Sequence, residues 1–368
     1  MNNKKVFFLF PRFGIGGISK ALSFVANTCA ENGFQVYCIS MSTEEQTILL
    51  HDSIKKIYCP YILSNNILLN SYVKLQYIWK LRRLIKEIMP DMIIGFGTDL
   101  IRIVCIAASP FKIPIVGSER GNPYVYTKAQ SQKYIKYLSK CDFVVFQTEG
   151  AKKYYPQTIQ KKSVIIPNPA VQRFDKEFVV SNKRSNHIIV CSRLSSEKRI
   201  IDIIKAYSMS ANLKREMVLH IYGSGPEEVS IKKFVLNNNL EDLVILKGNV
   251  QNVFEIESTA ALFVLYSEFE GMPNSLIEAM GMGIPCVASD CPPGGVSFVA
   301  DSGRRAKLVG MNSVEELSKA MEEVCLNPEV SARYSFKARE INEVLNPIAI
   351  KDKWINLIHK ILYEEGEL

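Results

Sequence analysis

The sequence lacks the features that mark several large functional classes. Its nine cysteines form no C-x-x-C pair, so neither a zinc ribbon nor a thioredoxin-like redox motif is expected. An odd number of scattered thiols in a long chain fits a reducing, cytosolic compartment better than a disulfide framework. No apolar run approaches the roughly 18 residues needed to cross a bilayer; Ala260–Tyr266 is typical of the longest. The apolar stretch Val6–Phe10 ends at Pro11–Arg12 without a small-residue cleavage site, so no secretory signal is expected. The absence of G-x-x-x-x-G-K-[ST] excludes a P-loop phosphotransferase. Asp-x-Asp, low-complexity tracts and short-period repeats are absent as well.

What remains is an ordinary globular composition, 47% apolar and 22% charged over 368 residues, enough chain for two domains. Charge is unevenly spread. Residues 1–180 carry 24 Lys+Arg against 12 Asp+Glu, a net of +12, and the remaining 21 against 25 give −4, which sum to the +8 of the whole chain. A basic front half suits an anionic partner such as a phosphate-bearing acceptor or a membrane surface. No nucleic-acid-binding module accompanies it.

Apolar runs alternate with helical patterns. Lys5–Phe10, Phe34–Ser40, Met92–Phe96, Ile115–Ser118 and Phe143–Gln147 read as strands of a first doubly wound sheet. A polar, proline-containing stretch then interrupts, and the rhythm restarts with His187–Ser192, Val218–Tyr222, Val244–Leu246, Leu262–Tyr266 and Pro285–Ser289. The predicted organisation is a Rossmann-like domain over 1–170, a linker over 171–186, a second such domain over 187–347, and a final helix in 348–368 that crosses back to the first. In such sheets ligands sit beyond the carboxyl ends of the strands.

Three stretches carry candidate chemistry. Phe13-Gly14-Ile15-Gly16-Gly17 follows the first strand and offers backbone N–H groups at a helix N-terminus. Ser19 replaces the third glycine of a dinucleotide fingerprint and no acid ends the second strand at Cys38–Ser40, which argues against a nicotinamide enzyme. Arg193 and Lys198 follow the strand His187–Ser192 and suit a diphosphate leaving group. Glu270 and Glu278, separated by seven residues across Gly271-Met272-Pro273-Asn274-Ser275, place one carboxylate on a loop and one on a helix capped by Asn274 or Ser275. Two such carboxylates suit the vicinal hydroxyls of a sugar and a ribose, and the amides between them suit a diphosphate. Over Tyr72–Ile88, Leu75, Ile78, Leu81, Leu84, Ile85 and Ile88 form one helical stripe with Lys74, Lys80, Arg82, Arg83 and Lys86 largely outside it. Such a helix packs on its own sheet or rests on anionic lipid.

Gly14-Ile15-Gly16-Gly17, Ser192-Arg193-Leu194 with Lys198, Ile221-Tyr222-Gly223-Ser224-Gly225-Pro226 and Glu270-x7-Glu278 resemble the retaining glycosyltransferases of family four. Ser118-Glu119-Arg120-Gly121-Asn122 and the Glu-Gly-Met-Pro-Asn-Ser-Leu-Ile-Glu wording resemble the bacterial surface-glycan subgroup, which includes N-acetylgalactosamine and galactose transferases. The resemblance implies an α/β GT-B fold, two Rossmann-like domains facing each other across a crevice. It implies a UDP-sugar donor, with Glu278 at the ribose, Glu270 at the donor sugar, and Arg193 and Lys198 at the diphosphate. Gly16, Gly17, Met272, Pro273, Asn274 and Ser275 would assist, and Gly223, Gly225, Asn249 and Val250 would lie near the base. Glu119, Arg120 and Asn122 are acceptor-side candidates, Arg120 standing where many members carry a histidine. No cofactor or metal is expected. The resemblance further implies a glycan acceptor, polyprenyl-pyrophosphate-linked, met at the cytoplasmic face of the membrane. The alternatives are a nucleotide-sugar-binding protein without activity and a GT-B-type epimerase.

Overall fold

The computed structural model describes residues 4–14, 17–43, 48–62, 67–170 and 184–363. The chain divides into two compact units, one taking the described residues up to Asn168 together with those from Ile348 onward, the other Pro169–Pro347.

The first unit holds a seven-stranded parallel sheet in the order β3-β2-β1-β4-β5-β6-β7. Its strands are β1 (Lys5–Phe10), β2 (Gln35–Ser40), β3 (Lys55–Tyr58), β4 (Met92–Phe96), β5 (Ile115–Ser118), β6 (Phe143–Phe146) and β7 (Ser163–Ile165). The central strands β1 and β4 are apolar almost throughout because helices cover both faces of the sheet. From Ile348 onward the helix Pro347–Tyr363 belongs to this unit. Ile350, Trp354, Leu357 and Ile358 recur at helical spacing and enter its core. Trp354 stacks on Phe96 at 5.6 Å.

The second unit holds a six-stranded parallel sheet in the order β10-β9-β8-β11-β12-β13. Here the strands are β8 (His187–Cys191), β9 (Val218–Tyr222), β10 (Val244–Gly248), β11 (Leu262–Leu265), β12 (Cys286–Ser289) and β13 (Lys307–Val309). The pleat sends Phe263 and Leu265 into one core layer and Leu262 and Val264 into the other. Strands β8 and β11 are neighbours although two strands separate them in sequence, so the topological switch point lies between them.

Several details differ from the sequence reading. The strands β3, β7 and β13 were not anticipated; all three are short edges with partly exposed residues, so they need little apolar patterning. Of the expected linker, 171–183 lies outside the described residues, while 184–186 is already bound into the second unit. There Arg184 donates to the Gly283 carbonyl at 2.7 Å and Ser185 N–H to the Thr259 carbonyl at 2.8 Å. In the helix Ile67–Ile88 the buried face is Tyr77, Leu81, Ile85 and Ile88. Leu75, expected on that stripe, is 71% exposed, because Tyr77 sets the stripe one position round the helix.

Candidate functional site

The second unit gathers its candidate residues at the β8/β11 switch point. The chain leaves β8 through Ser192 and Arg193 into a single 3-10 turn, Ser196–Lys198, and leaves β11 through Tyr266 toward Glu270. The Glu268 N–H donates to the Glu197 carbonyl at 2.8 Å, pinning the two loops together. Burial pushes the Glu197 carboxyl up, but Ser195 Oγ at 2.5 Å, its own N–H and the charges of Lys198 and Arg193 outweigh that and hold it below the ordinary carboxylate range.

Lys198 Nζ then reaches Glu270 Oε1 at 2.5 Å. The pair is largely enclosed, with side chains 18% and 13% exposed. Ser267 Oγ donates to the same carboxylate oxygen at 2.9 Å, while Ser267 N–H is held by Ser289 Oγ at 3.0 Å. The Glu270 N–H donates to the Pro292 carbonyl at 3.1 Å. Gly295 approaches Gly271 so closely that a Cβ would strike the Gly271 carbonyl. The Pro292–Gly295 turn after β12 therefore props the loop that carries Glu270.

Arg193 is exposed at the head of the same loop. Its neighbours are fixed by the turn after β9, since Leu194 N–H donates to the Ser224 carbonyl at 3.0 Å. A Cβ on Gly223, whose φ is +132°, would strike the Ser192 carbonyl, and one on Gly225 the Leu194 carbonyl. These glycines thus let two loops touch. Gly223 N–H donates to Gly248 O at 2.8 Å and Asn249 Nδ2 to Ser224 Oγ at 2.8 Å, which joins the turn after β10 to the group; Val250 is exposed.

Glu278 lies in the second turn of the helix Asn274–Gly281, half-buried like Asn274 and Ser275. The capping expectation is corrected: Asn274 is already the first helical residue, and Pro273 holds the N-cap position without a side-chain cap. Met272 is buried in the apolar core, so its side chain serves packing. A cavity of about 380 Å³ beside the 3-10 turn is lined by Arg199, Asp202, Glu227, Glu268 and Asn312 among others, and by neither Lys198 nor Glu270.

In the first unit Gly16 lies outside the described residues. Gly17 opens the helix Gly17–Glu31. Ser19, at the position of the missing third glycine, donates to the Arg12 carbonyl at 2.9 Å and ties the turn to the helix. Glu119 is enclosed, accepting from Gly121 N–H at 2.5 Å and from the Tyr126 and Tyr155 hydroxyls at 3.3 Å each. Burial raises its pKa against those hydrogen bonds. Arg120 donates to Asn168 at 2.6 Å and lies over the Phe96 ring at 4.3 Å. Burial lowers its pKa to about 9, opposed by the Glu119 charge. Asn122 is buried and caps the turn Pro123–Val125 through Oδ1. Among the three acceptor-side candidates Arg120 alone keeps part of its surface open.

Sequence reasoning missed Ser267 and the Pro292 carbonyl as supports of Glu270. A polar residue directly after the buried strand β11 was the available signal for the first. It also missed the convergence of His187, His220 and Glu257.

Comparison with known proteins gives a consistent picture. Residues 171–341 match the model of the family described as glycosyl transferases group 1. An uncharacterised glycosyltransferase of Haemophilus influenzae is 27% identical over 96% of this chain and 100% of its own. A Campylobacter jejuni enzyme is 24% identical over 97% of this chain and 99% of its own. Its name is GalNAc-α-(1→4)-GalNAc-α-(1→3)-diNAcBac-PP-undecaprenol α-1,4-N-acetyl-D-galactosaminyltransferase. Among solved structures, the Anabaena protein HepE in complex with UDP and glucose superposes with a TM-score of 0.80 at 14% identity, covering 97% of this chain and 100% of that one.

Proposed function

We propose that this chain, a glycosyltransferase of GT-B fold whose residues 171–341 match the group 1 family, moves a hexose or N-acetylhexosamine from a UDP-sugar, with retention, to a polyprenyl-pyrophosphate-linked glycan. The observation that carries this reading is the meeting of Lys198 and Glu270 at the β8/β11 switch point, with Glu278 on the helix behind and Arg193 on the loop beside. The UDP and glucose of the HepE complex and the undecaprenyl-linked substrate in the Campylobacter enzyme's name support the donor and acceptor classes.

In this reading the donor diphosphate takes Lys198 Nζ away from Glu270. The freed Oε1, still oriented by Ser267 Oγ, accepts a hydroxyl of the donor sugar, and Glu278 accepts the ribose diol. Arg193 and Lys198 neutralise the charge that grows on the diphosphate as the glycosidic bond breaks, the dominant electrostatic demand of the reaction. The acceptor hydroxyl attacks from the departing face and gives its proton to the leaving phosphate oxygen. With two side-chain cations in that role, turnover is expected to persist in chelator.

The acceptor would be met by the basic first unit, peripheral at the cytoplasmic face of the membrane. The net +12 of residues 1–180 supports this, as does the helix Ile67–Ile88, which exposes Tyr72, Leu75 and Trp79 ahead of Arg83 and Lys86. No helix among the described residues is long and apolar enough to cross a membrane.

The test is UDP release from a panel of UDP-sugars, in chelator, with and without a polyprenyl-pyrophosphate glycan. Release with one sugar and only in the presence of acceptor is expected. Failure of the protein to bind UDP would overturn the donor assignment, and UDP binding with no turnover on any acceptor would leave a binding protein instead.

A further inference from the structure

A cluster unconnected with the sugar site lies on the sheet of the second unit. His187 opens β8, and His220 on β9 pairs with Ile189. The pleat therefore turns both imidazoles to one face, where the rings stand 4.1 Å apart. Glu257, just past the turn Val253–Ile256, comes over that face. Nδ1 of His187 lies 2.9 Å from Oε2, Nδ1 of His220 lies 2.7 Å from Oε1, and the Tyr222 hydroxyl donates to Oε1 at 2.5 Å.

We propose that His187, His220 and Glu257 bind one divalent transition-metal ion of the zinc type as a structural site. Two imidazole nitrogens and a carboxylate suit zinc, cobalt or nickel and not magnesium or calcium. Their offered atoms lie within 4.8 Å of one another. Tetrahedral ligation at about 2.0–2.1 Å spaces ligand atoms about 3.3 Å apart, between the 2.7 and 2.9 Å of the two His–Glu contacts and the 4.8 Å that bounds the cluster, so small shifts of the carboxylate and the imidazoles admit the ion. Coordination through Nδ1 leaves each imidazole its proton on Nε2, and no proton is released. A water completes the set. His187, one-third exposed, provides the way in. The ion would staple β8, β9 and the segment before β11.

The experiment uses the full chain without a histidine tag, stripped with chelator and dialysed against zinc alone, then cobalt as a spectroscopic probe. Expected are one ion per chain, a tetrahedral cobalt spectrum, and a melting temperature raised by about 5–10 °C at a hundredfold excess over the dissociation constant. His187→Gln keeps an N–H for Glu257 but removes one imidazole, and should weaken binding at least tenfold. No stoichiometric binding, or equal binding by wild type and H187Q, overturns the proposal and leaves a hydrogen-bonded cluster. Should H187Q not fold, nitrogen NMR of the wild type decides. Zinc must move the His187 and His220 protons from Nδ1 to Nε2, and unchanged tautomers refute the site.

Discussion

Replacing Lys198 by alanine tests the site most directly, because the structure separates its effects on folding and on turnover. The ammonium lies 2.5 Å from Glu270 in a pair whose side chains are 18% and 13% exposed. Removing it leaves Ser267 Oγ, at 2.9 Å, as the donor to Oε1. Breaking a fully buried pair costs about 3–5 kcal/mol and an exposed one about 0–1 kcal/mol. This pair falls between, at about 1–3 kcal/mol, which lowers the melting temperature of the second unit by roughly 2–10 °C. Arg193 stands exposed on the same loop, so Arg193→Ala should change stability by no more than about 0.5 kcal/mol. Both variants should nevertheless lose ~10²–10³ in turnover, the usual consequence of removing one fixed donor to developing charge. Thermal melts together with UDP release on the preferred donor give both numbers. K198A that still melts cooperatively and turns over close to wild type would refute the diphosphate role, and R193A as active as wild type would confine that role to Lys198.

Other consequences follow from single contacts. Gly225→Ala forces a methyl group into the Leu194 carbonyl and should cost about 2–3 kcal/mol through backbone displacement, with UDP affinity falling alongside; denaturant titration reads the first and calorimetry the second. Trp354→Ala empties a fully buried site stacked on Phe96 and should destabilise the first unit by about 3–5 kcal/mol; a second unit that also melts at a lower temperature would contradict the assignment of this helix. Burial raises the Glu119 pKa in the folded state, so this group favours folding below its ordinary pKa and opposes it as pH rises through the folded value. Glu119→Gln keeps an acceptor for Gly121 N–H and should therefore be at least as stable as wild type at pH 8, with the gap closing toward pH 4. Marked loss of stability at pH 8 but none at pH 4 would reverse that sign.

Much of the architecture follows from local pattern. Continuous apolar runs such as Val6–Phe10 and Leu262–Leu265 are strands buried on both faces, and their alternation with helical periodicity implies two doubly wound sheets. The edge strands β3, β7 and β13 were hidden because a half-exposed edge is held by its neighbour's backbone and needs no apolar signature. The register of the helix Ile67–Ile88 was misjudged at Leu75 because several stripes fit its composition, and only the sheet beneath selects Tyr77, Leu81, Ile85 and Ile88.

The sequence by itself determined which residue types stand at the carboxyl ends of which strands: an arginine and a lysine after β8, two carboxylates with seven residues between them after β11, glycines after β9. Residue chemistry and burial periodicity are local properties, written within a few positions of one another. The tertiary structure alone decided that Lys198 and Glu270, 72 positions apart, share one ion pair, that Gly223 and Gly225 yield to Ser192 and Leu194, and that His187, His220 and Glu257 converge on one face. Those meetings depend on strand order and register. A sheet ordered β10-β9-β8-β11-β12-β13 makes neighbours of loops that the chain itself keeps far apart.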